Sequence, residues 1–374
     1  AADWLRAKGY QVCHFVATEP IMRDLLSRNI PFVFCFEWDN WGHATAAIGL
    51  DEPTQMLILH DPSRERWSRH LLDNIGEEEM PFGPRAMLIL PEGKADVLSL
   101  IPRDNHVPAD AMMQFMEAYG EQSVEVCTGI LERLRKEFPD HVFTCFLEGV
   151  HHAQQDRMKE ATEILRSLLE TYPNCLTIRR FLVMFLRKSG DTSLLLRELG
   201  QIVHRRLLLD TEIGQMWKYP PSTYLNQYVS ILSETHDRIE QAEIQLLQNL
   251  RREKGDGEGY NTLGWIYIRE QRYEEALLPL RLAATLQDHN ESYASDYAGL
   301  LRYVGQEEEA IAWLERRARR VADLERAAVA WITLISELQS YGLSDQSLAM
   351  MAEAQERFRD NEDMLAFGMN YWSR

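Results

Sequence analysis

Residues 260–283 read YNTLGWIYIREQRYEEALLPLRLA, and this stretch decides the larger part of the fold. Tyr260, Leu263, Gly264 and Tyr267 recur at helical spacing. Ala276, Leu280 and Ala283 do the same in a second helix. Small residues are placed where two helices must approach closely, and large ones where the gap to a neighbour must be filled.

Stepping by 34 residues tests for a repeat. From Ala276, one step forward gives Ala310 with Leu314 behind it, and one step back gives Ala242 with Leu246. A second series, Cys127, Ala161 and Leu195, carries Leu131, Leu165 and Leu199 four residues on. A stretched copy follows at Ser347, 37 residues after Ala310. Seven units are detectable. The pattern resembles the tetratricopeptide repeat. That resemblance implies an all-α solenoid over residues 108–374 and a groove that takes protein or peptide. Groove positions include Asn261, Trp265 and Arg269 in one copy, then Asp296 and Arg302, with Ser295 and Tyr303 beside them. The step from Leu195 to Ala242 is 47. The surplus lies around residues 204–221, with Trp217, Tyr219, Pro220 and Pro221. It reads either as a patch between two blocks of repeats or as a partner-binding insertion. Met364 to Trp372 reads as a capping helix or as the array continuing.

Residues 1–92 read differently, as an α+β domain with an antiparallel sheet. Strands are expected at 10–17, 31–36, 43–49, 56–60 and 85–90, with a helix near the start and one from Thr18-Glu19-Pro20 to Arg28. Gly93, Pro102, Asp104, Asn105 and Pro108 mark 93–107 as a linker.

Trp41-Gly42-His43-Ala44 opens one strand and His60-Asp61-Pro62 closes another. Adjacent antiparallel strands bring His43 near Asp61, and a His oriented by a carboxylate is the acid–base half of a nucleophilic triad. With strands Ile30–Phe34 and Met87–Pro91, this segment resembles the papain-like, bacteriocin-processing cysteine peptidases. The resemblance covers about a quarter of the chain. It implies His43 as general base, Asp61 as its orienter and a peptide as substrate. The family's nucleophilic Cys, at a helix start with a Gln before it, has no counterpart here. Cys13 falls in a strand and Cys35 in an apolar run. The domain therefore reads either as a piece of a cysteine peptidase or as a degenerate scaffold. His14, His60 and the His151-His152 pair carry no site. Glu77-Glu78-Glu79 reads as a solvated loop, and Trp38 and Trp41 as groove wall or core.

A formal charge of −18 argues against nucleic acid and anionic lipid as partners and favours a basic one. No apolar run approaches the ~18 residues of a spanning helix. Five cysteines without CxxC spacing read as free thiols of a reducing, cytoplasmic setting, with no metal or cofactor site expected. The chain opens Ala1-Ala2-Asp3 without Met, as though it starts within a longer product.

Overall fold

The computed structural model describes residues 2–38, 41–62, 67–72, 81–91, 93–173, 175–204, 222–234, 238–320 and 324–372. They begin with helix α1 (Ala2–Ala7), strand β1 (Gln11–Val16) and helix α2 (Glu19–Ser27). Then come β2 (Phe32–Trp38), β3 (Trp41–Asp51), β4 (Met56–His60), β5 (Ser68–Leu71) and β6 (Arg85–Leu90). The six strands form one antiparallel sheet in the order β1-β6-β2-β3-β4-β5. Alternation sets its buried face. Phe32 and Phe34 of β2, Leu57 and Leu59 of β4, and Ala86, Leu88 and Leu90 of β6 all join one core. That core is covered by the apolar side of α2, namely Ile21, Met22, Leu25 and Leu26.

The helices continue as pairs. In the first unit they are α3 (Arg103–Gly120) with α4 (Val124–Glu137) and α5 (Val142–Gln154) with α6 (Met158–Thr171), then α7 (Leu176–Ser189) with α8 (Thr192–His204), whose residues from Leu199 onward belong to the second unit. After the break come α9 (Ser222–Leu232) with α10 (Ile239–Leu250), α11 (Gly257–Arg269) with α12 (Tyr273–Leu286), α13 (Glu291–Tyr303) with α14 (Glu307–Arg320), and α15 (Leu324–Ser340) with α16 (Ser344–Arg357). Helix α17 (Glu362–Trp372) follows. The fold is thus a small antiparallel sheet followed by an array of helical repeats.

One contact recurs through the array. Leu280 of α12 and Leu165 of α6 each press on a glycine sixteen residues earlier, Gly264 and Gly149. Ala298 stands in that place before Leu314, and all six residues are buried. The small residue at the start of the second helix is equally buried in Cys127, Ala161, Ala242, Ala276, Ala310 and Ser347. Where that residue can donate, it bonds the facing carbonyl. Cys127 Sγ reaches the Phe115 oxygen (3.7 Å), and Ser347 Oγ the Ile335 oxygen (3.4 Å). The 37-residue step before Ser347 has a local cause. Helix α15 runs 17 residues, where α13 runs 13.

The linker reading of 93–107 does not match the observed elements. A 3-10 helix covers Ala95–Leu100, and α3 begins at Arg103. Pro102 is its cap, and Asp104 and Asn105 lie in its first turn, where unpaired N–H groups favour them. These residues resemble a loop by composition because helix starts and loops use the same residue types. Nor does the chain divide there. One compact unit runs to Glu198 and a second from Leu199. Helix α3 packs on β1, and Phe82 stacks edge-on against Phe143 (5.1 Å) and tilted against Phe146 (4.8 Å) of α5, so the sheet and the first helices share one unit. Of the expected insertion at 204–221, residues 205–221 lie outside the described residues, as does Glu77-Glu78-Glu79. β5 was not expected; its four residues, SRHL, carry no apolar alternation.

Asp110 of α3 ties the helices to β1. The His14 N–H donates to Asp110 Oδ1 (3.3 Å), and the ring Nδ1 lies 3.0 Å from the same oxygen. Gln114 Nε2 donates to Oδ2 (2.9 Å), and Arg6 stands 3.7 Å away. Burial opposes ionisation of Asp110, but the His14 bonds and the nearby charges outweigh it and hold its carboxyl below the usual value. A depressed pKa stabilises the fold above the ordinary carboxylate range, and that contribution is lost as pH falls through the folded value.

Two stability measurements check these contacts. A Cβ on Gly264 would sit 2.5 Å from Leu280 Cδ2, whereas one on Gly149 would sit 3.2 Å from Leu165 Cδ2. Gly264→Ala should therefore lose about 1–2 kcal/mol in urea unfolding, since overpacking of about 1–3 kcal/mol outruns a helix-propensity gain of about 1. Gly149→Ala should stay near neutral, and equal losses would contradict the packing account. Asp110→Asn should cost about 1–3 kcal/mol at neutral pH, and its gap to the native protein should close below about pH 4. A gap that is constant with pH would exclude the carboxylate as the cause.

Candidate functional site

Strand register fixes what can be said of the His/Asp pair. Residue 43 pairs with Phe36 across β2 and β3, and Ala46 pairs with His60 across β3 and β4. Asp61 follows β4 directly and is buried. The backbones of 43 and 61 thus lie on neighbouring strands, three residues and one residue from that Ala46–His60 pair. The side chain of His43 lies outside the described residues, as do those of Cys35, Trp38 and Trp41.

None of the other four cysteines has the low pKa of a nucleophile. Cys13 is buried in β1, and burial, with the Asp110 charge, pushes its thiol up to about 12. Cys175 caps α7, a position that ordinarily favours a thiolate. Burial nevertheless outweighs the helix N–H groups and raises it to about 11. Burial also raises Cys127 and Cys145. Among the described residues, His14 and Asp110 form a His–carboxylate pair, 96 residues apart in the sequence. Sequence spacing gave no sign of it. Among the described residues no cluster of His, Cys, Asp and Glu is arranged to hold a metal, and no helix is long and apolar enough to cross a membrane.

The repeat surface is better defined. Within the second unit, first helices pack on each other as α9 on α11, α13 on α15 and α15 on α17, no successive second helices pack as closely, and α11 meets α13 through side chains such as Trp265 and Asp296. The first helices therefore line the shorter, inner side. All five groove residues expected from the sequence lie on them. Trp265 of α11 donates its Nε1–H to Asp296 Oδ2 of α13 (3.3 Å), and the Asn261 side chain lies near enough to the same carboxylate to favour its charge. Burial raises the Asp296 pKa, against the pull of those two side chains. Trp265 keeps 41% of its surface exposed.

The two arginines are engaged elsewhere. Arg269 reaches back to α9, donating to the Ser230 oxygen (3.3 Å) and to Ser233 Oγ, with Glu234 at 3.8 Å. Arg302 reaches forward, donating to Ser340 Oγ of α15 (3.4 Å) and lying 4.8 Å from the Tyr341 ring. The structure thus brings Asn261, Trp265 and Asp296 together. Arg269 and Arg302 instead stitch neighbouring first helices. A buried network supports the same face from behind. Asn226 donates to both Asp256 oxygens (3.2 and 3.1 Å) and Asn249 to one (3.2 Å), while Asp256 caps α11 through the Gly259 N–H (2.9 Å).

No family model matches this chain, and no curated protein matches it. Solved structures give only partial likenesses. A tetratricopeptide repeat protein from Parabacteroides merdae is 11% identical with a TM-score of 0.46, covering 70% of this chain and 98% of that one. PilF from Pseudomonas aeruginosa is 17% identical with a TM-score of 0.37, covering 60% and 96%. MamA from Desulfovibrio magneticus is 12% identical with a TM-score of 0.37, covering 46% and 89%. Scores this low carry no weight of their own. The repeat architecture rests on the helix pairs, their 34-residue pitch and the small-residue contacts between them.

Proposed function

We propose that this protein is a non-enzymatic scaffold whose second unit binds a peptide segment of a partner protein along the inner face of α11 and α13. The observation that carries this reading is Trp265. Its ring is 41% exposed on the inner side, and its Nε1–H is held by Asp296. A large ring fixed before binding loses little freedom when a partner covers it, and such residues dominate binding energy at interfaces. Asn261 and Asp296 beside it supply polar groups that orient a peptide backbone. The cytoplasmic setting inferred from free thiols fits this role. A hydrolytic role needs a reactive thiol, and burial raises the pKa of Cys13, Cys127, Cys145 and Cys175 alike. The scaffold reading needs none.

The test is a peptide selection against the full chain, followed by affinity measurement on purified peptides. Trp265→Ala should weaken binding at least about tenfold, the loss of a hot spot worth about 2 kcal/mol. Leu278→Ala, on the second helix α12 and 64% exposed, should leave affinity unchanged. Peptides indifferent to Trp265 but sensitive to Leu278 would place binding on the other side of the array and refute the proposal.

A further inference from the structure

The inner face of α13 does not end at Asp296. Gly299 and Tyr303 follow at three and seven residues, on the same side of the helix. A side chain added at Gly299 would meet nothing within 4 Å, so the path from Asp296 to Tyr303 is open. At its end lies an open recess of about 390 Å³ between the start of α12 and the end of α13. Its walls are Tyr273 and Tyr303, and its rim is Arg272, Glu274, Glu275 and Val304. The tyrosine rings stand 4.6 Å apart at 51°, and Tyr303 Oη donates to Tyr273 Oη (3.3 Å), which fixes their orientation. Tyr303 is nevertheless 67% exposed.

The charge around this recess is one-sided. Arg272 makes five hydrogen bonds, one for each of its N–H groups, to Glu243, Glu270 and Glu275. Its guanidinium also lies 4.1 Å from the Tyr267 ring. Three carboxylates face one guanidinium whose donors are all spent. Glu274 adds a further negative charge, is exposed, and makes no ion pair among the described residues. An aromatic pair with excess negative charge attracts a cation to its ring faces and repels an anion.

The geometry points to this recess as the subsite for a cationic side chain, Lys or Arg, of the peptide that lies along α11 and α13. The inference rests on the groove reading and adds to it the partner's charge and its direction. The basic residue lies beyond the segment on Trp265, toward the C-terminal end of α13.

The test uses the full chain with 13C-labelled tyrosine rings, Tyr273 and Tyr303 being assigned through their Tyr→Phe variants. The probe is N-acetyl-lysine methylamide, and the control is N-acetyl-norleucine methylamide, which has the same apolar stem and no charge. The lysine probe should shift both rings saturably and bind at least fivefold more tightly than the control. Tyr303→Ala and Glu274→Gln should each weaken it at least threefold. Glu274 is exposed and supports no fold contact, so its variant keeps the test decisive if Tyr303→Ala fails to fold. Equal binding of both probes, no shift of either ring, or lysine binding unchanged in Glu274→Gln would overturn the inference. Trp265→Ala should leave this assay unchanged, so failure of the recess and failure of the Trp265 groove read out separately.

Discussion

The close approach of Leu280 to Gly264 is the contact on which the rest of the second unit depends. A leucine on the second helix fits where the first helix has no side chain, so the two axes draw together. Leu165 on Gly149 repeats the arrangement, and Ala298 and Leu314, both buried, keep its spacing. Each pair buries its own seam but leaves an apolar side exposed, and stacking the next pair covers it. The inner face follows from this packing. It keeps first helices adjacent, and only adjacent first helices allow Trp265 to reach Asp296, Arg269 to reach Ser230, and Arg302 to reach Ser340.

An array of this kind needs its first pair covered, because a terminal repeat has no neighbour on one side. The sheet performs that task in the first unit. Strand β1 lies against α3 and is held by the His14–Asp110 contact, and Phe82 reaches α5 to pack on Phe143 and Phe146. The sheet's own core, under α2, also takes in Ile101 and packs against Val97, Leu98 and Leu100 just before α3. This accounts for a compact unit that ignores the boundary between strands and helices and runs on to Glu198.

The helical half was legible because its constraint is local and periodic. A large residue four positions after a mostly small one recurs in seven copies, four of the six steps between them being 34 residues, despite drift at single positions such as Leu195. Strands β4 and β6 were legible to the residue because turn formers and prolines fence them. What could not be read is pairing at long range. Asp110 lies 96 residues from His14, on a helix whose start is made of residues that also make loops. The repeat resemblance implied five groove positions, yet nothing in it said that Arg269 and Arg302 donate to neighbouring helices, or that Trp265 donates to Asp296. The expected nearness of His43 and Asp61 follows from register for the backbone alone.

Binding on the first helices of the second unit is the point on which the proposed role turns. Hydrogen–deuterium exchange, read helix by helix with and without a selected peptide, addresses it. Peptide binding should slow exchange in Gly257–Arg269 and Glu291–Tyr303, with Tyr273–Leu286 changing less and the sheet not at all. Protection confined to the second helices, or centred on the strands around residues 43 and 61, would contradict it.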